Sequence, residues 1–296
     1  MRQMTLLFLF FGLFWGYPPP FAQVSEKERA ALVDLYESTQ GDQWKRSWDL
    51  NAPVGEWPGV QVRDGHVVGL TLMMNDLKGN LPESLGELNH LTVLNLAFNQ
   101  LTGPLPQGIS KLDKLRTCRL EMNRIQGALP ERIGNLRNLE VLSLFNNYLG
   151  GRIPPSIGDI TGLRELNLSS NLLGGSIPES IGQLAELELL GLFDNKLEGG
   201  IPPEIGKLGN LRELVLANNR LDGDIPLEFA QLAKLEILQL QHNLFSSYTG
   251  LERLETAQLL VFDSDNRALD PGKAIDSPNR TRMADTKFED ENQNPY

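Results

Sequence analysis

From His66 onward the chain repeats itself every 24 residues. Asparagine stands at 75, 99, 123, 147, 171, 195, 219 and 243, glycine at 79, 103, 127, 151, 175, 199 and 223, and proline at 82, 106, 130, 154, 178, 202 and 226. Three residue types that hold phase through seven units without an insertion imply an array in which like units stack on one another. The stretch Leu163-Arg164-Glu165-Leu166-Asn167-Leu168-Ser169-Ser170-Asn171-Leu172 shows the pattern cleanly. Alternation around Leu166 and Leu168 predicts a short strand with the leucines inward and Glu165, Asn167, Ser169 and Ser170 outward. Gly175 and Pro178 then turn the chain and exclude a long helix across the unit.

One unit cannot fold alone. The first offers Val67, Leu70, Leu72, Leu77, Leu81, Leu85 and Leu88 as apolar side chains, too few to offset the ordering of its backbone. Stability must come from neighbours that share one apolar column and pair their strands. The recurrent asparagine suits that arrangement, because its amide carries both donors and an acceptor. Main-chain groups turned inward at a sharp bend lose water, and a stacked column of amides can satisfy them. Asn75, Asn99, Asn123, Asn147, Asn171, Asn195, Asn219 and Asn243 are therefore expected to form a structural ladder.

The unit L-x-x-L-x-L-x-x-N-x-L-x-G-x-I/L-P-x-x-I/L-G-x-L, with Ile177-Pro178-Glu179-Ser180-Ile181-Gly182 and Ile201-Pro202-Pro203-Glu204-Ile205-Gly206 as clean examples, resembles the plant-type leucine-rich repeat. That repeat occurs in receptor-kinase ectodomains and polygalacturonase-inhibiting proteins. The resemblance covers residues 66 to about 256. It implies an α/β solenoid: a right-handed superhelix with a parallel concave sheet and short 3₁₀ turns on the convex side.

An open solenoid leaves its first apolar layer bare and needs a cap. Residues 24–65 supply the material. Ser25-Glu26-Lys27-Glu28 has capping-box spacing, Ala31, Leu32, Leu35 and Tyr36 fall on one helical face, and Trp44, Trp48 and Trp57 provide bulk. This segment resembles the N-terminal cap of secreted leucine-rich-repeat proteins, including bacterial ones. Plant members usually carry cysteines flanking Trp57-Pro58-Gly59-Val60, whereas Gly55 and Val62 hold those places here, which favours a bacterial envelope or secreted protein. The repeats are expected to run over 66–269, with Leu259-Leu260-Val261-Phe262 as a degenerate last strand, and a polar tail over 270–296.

Residues 1–23 read as an export signal: Arg2, an apolar run from Leu6 to Trp15, then Pro18-Pro19-Pro20 and Ala22 ahead of a cut. The run is too short to span a bilayer. The expected location is secreted or cell envelope, periplasmic or extracellular, with no membrane insertion after cleavage. Apolar residues make up 41% and charged ones 22%, the balance of a folded chain. A net charge of −11, one unit further negative once Arg2 is removed, argues against nucleic acid as a partner. The single cysteine, Cys118, excludes an intrachain disulfide and replaces a core leucine, so a buried thiol is expected.

No nucleophile elbow, phosphate loop, zinc helix or dinucleotide turn occurs, and neither catalysis nor a cofactor is expected. Asp263-Ser264-Asp265-Asn266-Arg267 begins like a calcium loop but has Arg267 and Ala268 where such loops need an oxygen ligand and glycine. His66 and His90 share one phase, so they can stack within reach of one ion, but Lys114 follows in the third place and no metal site is assigned. Asn167-Leu168-Ser169 and Asn279-Arg280-Thr281 are sequons and are treated as incidental.

Outward strand positions carry no packing duty, so binding is expected there. The pairs before each ladder asparagine are Met73-Met74, Ala97-Phe98, Glu121-Met122, Phe145-Asn146, Ser169-Ser170, Phe193-Asp194, Ala217-Asn218 and Gln241-His242. Phe98, Phe145 and Phe193 are expected to face water as anchors, accompanied by Glu121, Met122, Asn146, Ser170, Asp194, Asn218 and His242. Two functions fit: a non-catalytic, monomeric module that recognises a protein, peptide or glycan on its concave face, or a structural or adhesive cell-surface scaffold.

Overall fold

The computed structural model describes residues 24–252, 254 and 259–265. The segments expected to be an export signal and a polar tail, residues 1–23 and 270–296, lie outside the described residues. The core of the architecture is a ten-stranded sheet that forms the concave face of a right-handed solenoid. Nine of its strands are parallel, from His66–Thr71 through Glu165–Asn167 to Val261–Asp263. Gly69, Val93, Thr117, Val141, Glu165, Leu189, Glu213, Ile237 and Val261 pair in succession, so each register step equals one unit. Leucines alternate inward and are sealed from solvent, as are Leu166 and Leu168 in the middle of the array. After each turn proline a 3₁₀ segment crosses the convex side, as at Pro155–Asp159 and Glu179–Gln183. There a Cβ on Gly158 would collide with the Ser180 carbonyl oxygen of the next turn, so the turns stack at a distance only glycine permits.

A second row of short strands runs along one flank, and no sequence signal used above points to it. Lys78–Asn80 pairs with Gln100–Thr102, Gln126–Ala128 with Tyr148–Gly150, and four more strands join from Gly174–Gly175 to Leu244–Ser247. These strands contain glycines in the left-handed region, such as Gly127 at φ 82°, which read in sequence as turns.

The cap is a helix, α1 (Glu26–Ser38), followed by a tryptophan cluster and a β-hairpin. Ser25 caps α1, its hydroxyl accepting from the Glu28 N–H at 3.2 Å. Trp48 and Trp57 stack at 4.7 Å, and Trp44 meets Trp48 edge-on at 4.9 Å. Each indole N–H donates to a main-chain carbonyl, of Thr39, Pro58 and Ala52 respectively for Trp44, Trp48 and Trp57, so these large rings are buried with their polar atom satisfied. Val60–Arg63 pairs antiparallel with His66–Thr71 through a turn at Asp64 (φ 53°) and Gly65 (φ 78°), the two left-handed positions of a tight hairpin. Gly79 sits at φ 129°, where a Cβ would collide with the Ser38 carbonyl oxygen at the end of α1; the missing side chain lets the helix seat on the first unit.

Each ladder asparagine joins two units. In Asn171, Nδ2 donates to the carbonyls of Leu144 and Leu168, both at 3.0 Å, while Oδ1 accepts from the Leu149 N–H at 3.0 Å. The same three bonds recur at Asn123, Asn147, Asn195, Asn219 and Asn243. At the N-terminal end Asn75 turns to the cap instead: Oδ1 accepts from the Arg46 N–H at 2.7 Å and Nδ2 donates to the Arg46 carbonyl at 3.3 Å. A separate rail of charge lies just ahead of the concave strands. Positions 116, 140, 164, 188, 212 and 236 alternate Arg and Glu, closing ion pairs Arg116–Glu140 at 2.6 Å, Arg164–Glu188 at 3.1 Å and Arg212–Glu236 at 2.6 Å.

Replacing Asn171 with alanine leaves the Leu149 N–H unpaired inside the array and takes one of two ladder bonds from each of the Leu144 and Leu168 carbonyls, which Asn147 and Asn195 still reach. The expected loss is about 1–3 kcal/mol, read as a lower denaturant midpoint with an unchanged secondary-structure spectrum. An unchanged midpoint would remove the ladder from the account of stability.

Candidate functional site

The paired positions ahead of each ladder asparagine form two columns with different physics. The first holds Met73, Ala97, Glu121, Phe145, Ser169, Phe193, Ala217 and Gln241, and only its N-terminal end is open: Met73 is exposed, whereas Ala97, Ser169 and Ala217 are buried. Phe193 corrects the sequence expectation. It is 7% exposed, packed with Val215 and Ala217 in a small apolar cluster on the sheet with Ile237 beside it, because the next unit offers only an alanine methyl and the ring folds over it. Phe145 is half-buried, and Phe98, at 44%, is the exposed member of the three. Asn167 and Ser169, expected to point to water, are buried as well; their side chains bond within the sheet, Asn167 Oδ1 accepting from the Ser169 N–H at 3.1 Å and Ser169 Oγ from the Phe193 N–H at 3.2 Å. The sequon at Asn167 is thus closed inside a strand, and that at Asn279 lies outside the described residues.

The second column is left-handed throughout. Met74, Phe98, Met122, Asn146, Ser170, Asp194, Asn218 and His242 all have φ between 53° and 58°. Asparagine and aspartate tolerate this conformation better than other side chains, so Asn146, Asp194 and Asn218 suit the backbone. Met74, Phe98 and Met122 do not, and they occupy three successive units. Within the column Asn146 Nδ2 lies 2.9 Å from Met122 Sδ, and His242 Nδ1 lies 2.6 Å from Asn218 Oδ1.

Between these columns and the charge rail, Arg119 reaches across one whole unit to Glu165, with contacts of 2.9 and 3.4 Å, and lies 3.6 Å from Glu121. The guanidinium thereby bridges two carboxylates on the concave sheet. Glu121 Oε2 is shielded from solvent with no hydrogen-bond partner among the described residues.

The two histidines of the first units do meet. The rings of His66 and His90 stack at 3.6 Å with an 18° tilt. A third polar group joins them from the cap and not from Lys114: Glu28 of α1 places Oε2 3.3 Å from His66 Nδ1. Partial burial, with the His66 ring and Lys114 nearby, holds the His90 pKa below the usual histidine range. Glu28 stands outside the 24-residue phase, so the periodicity carries no signal for it.

The leucine-rich-repeat family model matches residues 90–112, 138–160, 162–184, 186–208 and 210–232. Among solved structures, the chain is similar to one in the PEPR1–AtPEP1 crystal structure, at 29% identity over 81% of this chain and 35% of that one, with a TM-score of 0.75. It is also similar to the ectodomain of the Arabidopsis thaliana membrane receptor kinase GASSHO1/SCHENGEN3, solved with CASPARIAN STRIP INTEGRITY FACTOR 2, at 30% identity over 78% of this chain and 32% of that one, TM-score 0.68. A leucine-rich-repeat protein of Leptospira interrogans aligns at 35% identity over 64% of this chain and 46% of that one, TM-score 0.54. The chain therefore spans about a third of the length of the first two of these chains. Comparison with curated protein sequences gives no match.

Cys118 lies beneath the sheet, paired between Leu94 and Leu142 and sealed from solvent. Burial, and secondarily the charge of Glu121, pushes its thiol pKa up to about 12, so the reactive thiolate is scarce near neutral pH. A disulfide-exchange dye at pH 8 is expected to leave the native protein untouched and to titrate its single thiol after unfolding. Rapid reaction in the native state would show that the array opens at this unit.

Proposed function

Because the chain is built of leucine-rich repeats stacked into a right-handed solenoid, we propose that it is an exported, non-catalytic binding module that takes a protein or peptide on its concave face. The observation that carries this reading is the run Met74, Phe98 and Met122. Their φ values of 54°, 56° and 57° are ones that Asn, Asp or Gly would hold with less strain. Met74 and Phe98 nonetheless expose large apolar side chains there. Neither backbone nor core explains that choice, and an apolar strip across three neighbouring units, roughly 10 Å long at the spacing of parallel strands, suits the side chains of an extended partner. Phe145 and the Arg119–Glu165 bridge continue the surface with mixed polarity. The structures named with AtPEP1 and with CASPARIAN STRIP INTEGRITY FACTOR 2 support the same use of the fold. A net charge of −11 favours a partner with basic character over an acidic one.

Partners are to be captured from the native surroundings, identified by mass spectrometry and measured for affinity. Met74→Asn with Phe98→Asn is expected to weaken binding about 5- to 150-fold, the span of one interface anchor of 1–3 kcal/mol. The same pair should leave the melting temperature unchanged or raise it, since asparagine suits the left-handed backbone. Phe193→Ala is the counterpart, costing about 3 kcal/mol of stability as a buried ring truncation. Full affinity in the double asparagine variant would move the site off this strip.

The export reading is checked separately by N-terminal sequencing of the protein recovered from its native environment. A start just after Ala22 is expected, whereas an intact Met1 in the membrane fraction would overturn it.

A further inference from the structure

We propose that Glu28, His66 and His90 form a binding site for a zinc-class divalent cation at the seam between the cap helix and the first two repeats. One ligand atom from each residue lies within 4.8 Å of the other two. Zinc bonds of about 2.0–2.1 Å in tetrahedral geometry need donors roughly 3.4 Å apart, so the widest separation must close by at most about 1.4 Å. That is within the reach of side-chain rotation.

The three groups are positioned by independent parts of the fold. Glu28 is held in place: Oε1 accepts from the Val67 N–H at 3.2 Å, and Oε2 accepts from the Ser25 hydroxyl at 3.0 Å. Each oxygen keeps a second lone pair, and His66 Nδ1 lies 3.3 Å from Oε2. His66 opens its concave strand, and His90 lies in the turn one unit later. Stacking puts equal-phase residues about one strand spacing apart, which is why two histidines 24 positions apart can share one ion.

In the stacked arrangement the rings are nearly parallel, whereas a nitrogen lone pair points along its ring plane. Coordination therefore requires the rings to splay. Both are only partly buried, which leaves room for that rotation. The Glu28–His66 contact alone would serve as an ordinary hydrogen bond, but it gives no reason for the second imidazole. A set of two imidazoles and a carboxylate matches three-ligand zinc sites, in which water completes the shell. The adjacent Lys114 adds positive charge and Asp113 partly offsets it. Bound metal would tie α1 to two successive units at the end of the array where its first apolar layer is covered.

The test uses the untagged full chain stripped with a chelator. Zinc chloride is titrated calorimetrically and cobalt(II) is followed by visible absorption. Expected are one saturable zinc site tighter than about 10 µM, a cobalt spectrum of tetrahedral intensity, and a melting temperature raised by about 5 °C in excess zinc. His90→Gln removes a ring that stacks on His66, so it should keep the fold while weakening zinc at least about tenfold. His66→Gln combined with His90→Gln should abolish the cobalt spectrum. Absence of a saturable site in the natural chain overturns the proposal. So does undiminished affinity in the double variant, which would place the ion elsewhere, for example at Asp263 and Asp265. None of these readouts depends on the protein or peptide partner.

Discussion

At the bend that ends every concave strand, main-chain carbonyls from two successive units point into the same dry space, and an N–H from the earlier unit points there too. Water cannot reach them, and leaving them unpaired would cost about 1–3 kcal/mol apiece. One side-chain amide satisfies all three, as Asn171 does for Leu144, Leu168 and Leu149. Neither a carboxylate nor a hydroxyl offers two donors with an acceptor on one planar group. Because the bonds cross from unit to unit, the amide column also sets the rise of the solenoid. The concave sheet register, the stacking of the convex turns and the seating of the cap through Asn75 and Arg46 all follow that rise.

How much of this was legible in the residues depended on whether a feature obeyed the period. The parallel sheet, its inward leucines and the 3₁₀ turns were readable because each repeats in phase, and averaging over units cancels local noise. The antiparallel hairpin at Val60–Arg63 and His66–Thr71 occurs once. Its signal, Asp64-Gly65 between two valine-rich segments, is local and falls at the edge of the periodic region, where the repeat pattern dominates. The flank strands hid behind their glycines, since a left-handed residue inside a short main-chain pairing looks like a turn. Phe193 misled for a different reason. Alternation gives the face of a side chain but not its cover, and cover depends on the neighbour 24 residues on, where Ala217 leaves space for the ring. Glu28 has capping-box spacing from Ser25, yet nothing in the local sequence shows that its carboxylate also reaches Val67 and His66 across 39 and 38 positions.

The left-handed column shows how a repeat fold separates duty from choice. The backbone demands the same conformation at every unit, and Asn146, Asp194 and Asn218 answer it with the residues best suited. Where Met74, Phe98 and Met122 stand instead, the scaffold accepts strain of order 1 kcal/mol at each, which the ladder and the leucine columns are able to absorb. The large apolar departures from the local optimum thus fall on one surface and in three adjacent units, while Cys118 and the leucines beneath them remain fully packed.

The charge rail has an arithmetic of its own. Arg and Glu alternate from 116 to 236, so any two units in sequence present opposite signs and any two separated by one unit present the same sign. Removing the single unit that carries Arg164 would set Glu140 beside Glu188, a repulsive neighbour pair across adjacent strands. Removing two units together would leave the alternation whole. Geometrically the solenoid counts in ones, but electrostatically it counts in twos, and this parity makes the pair of units, not the single repeat, the natural quantum by which such an array lengthens or shortens.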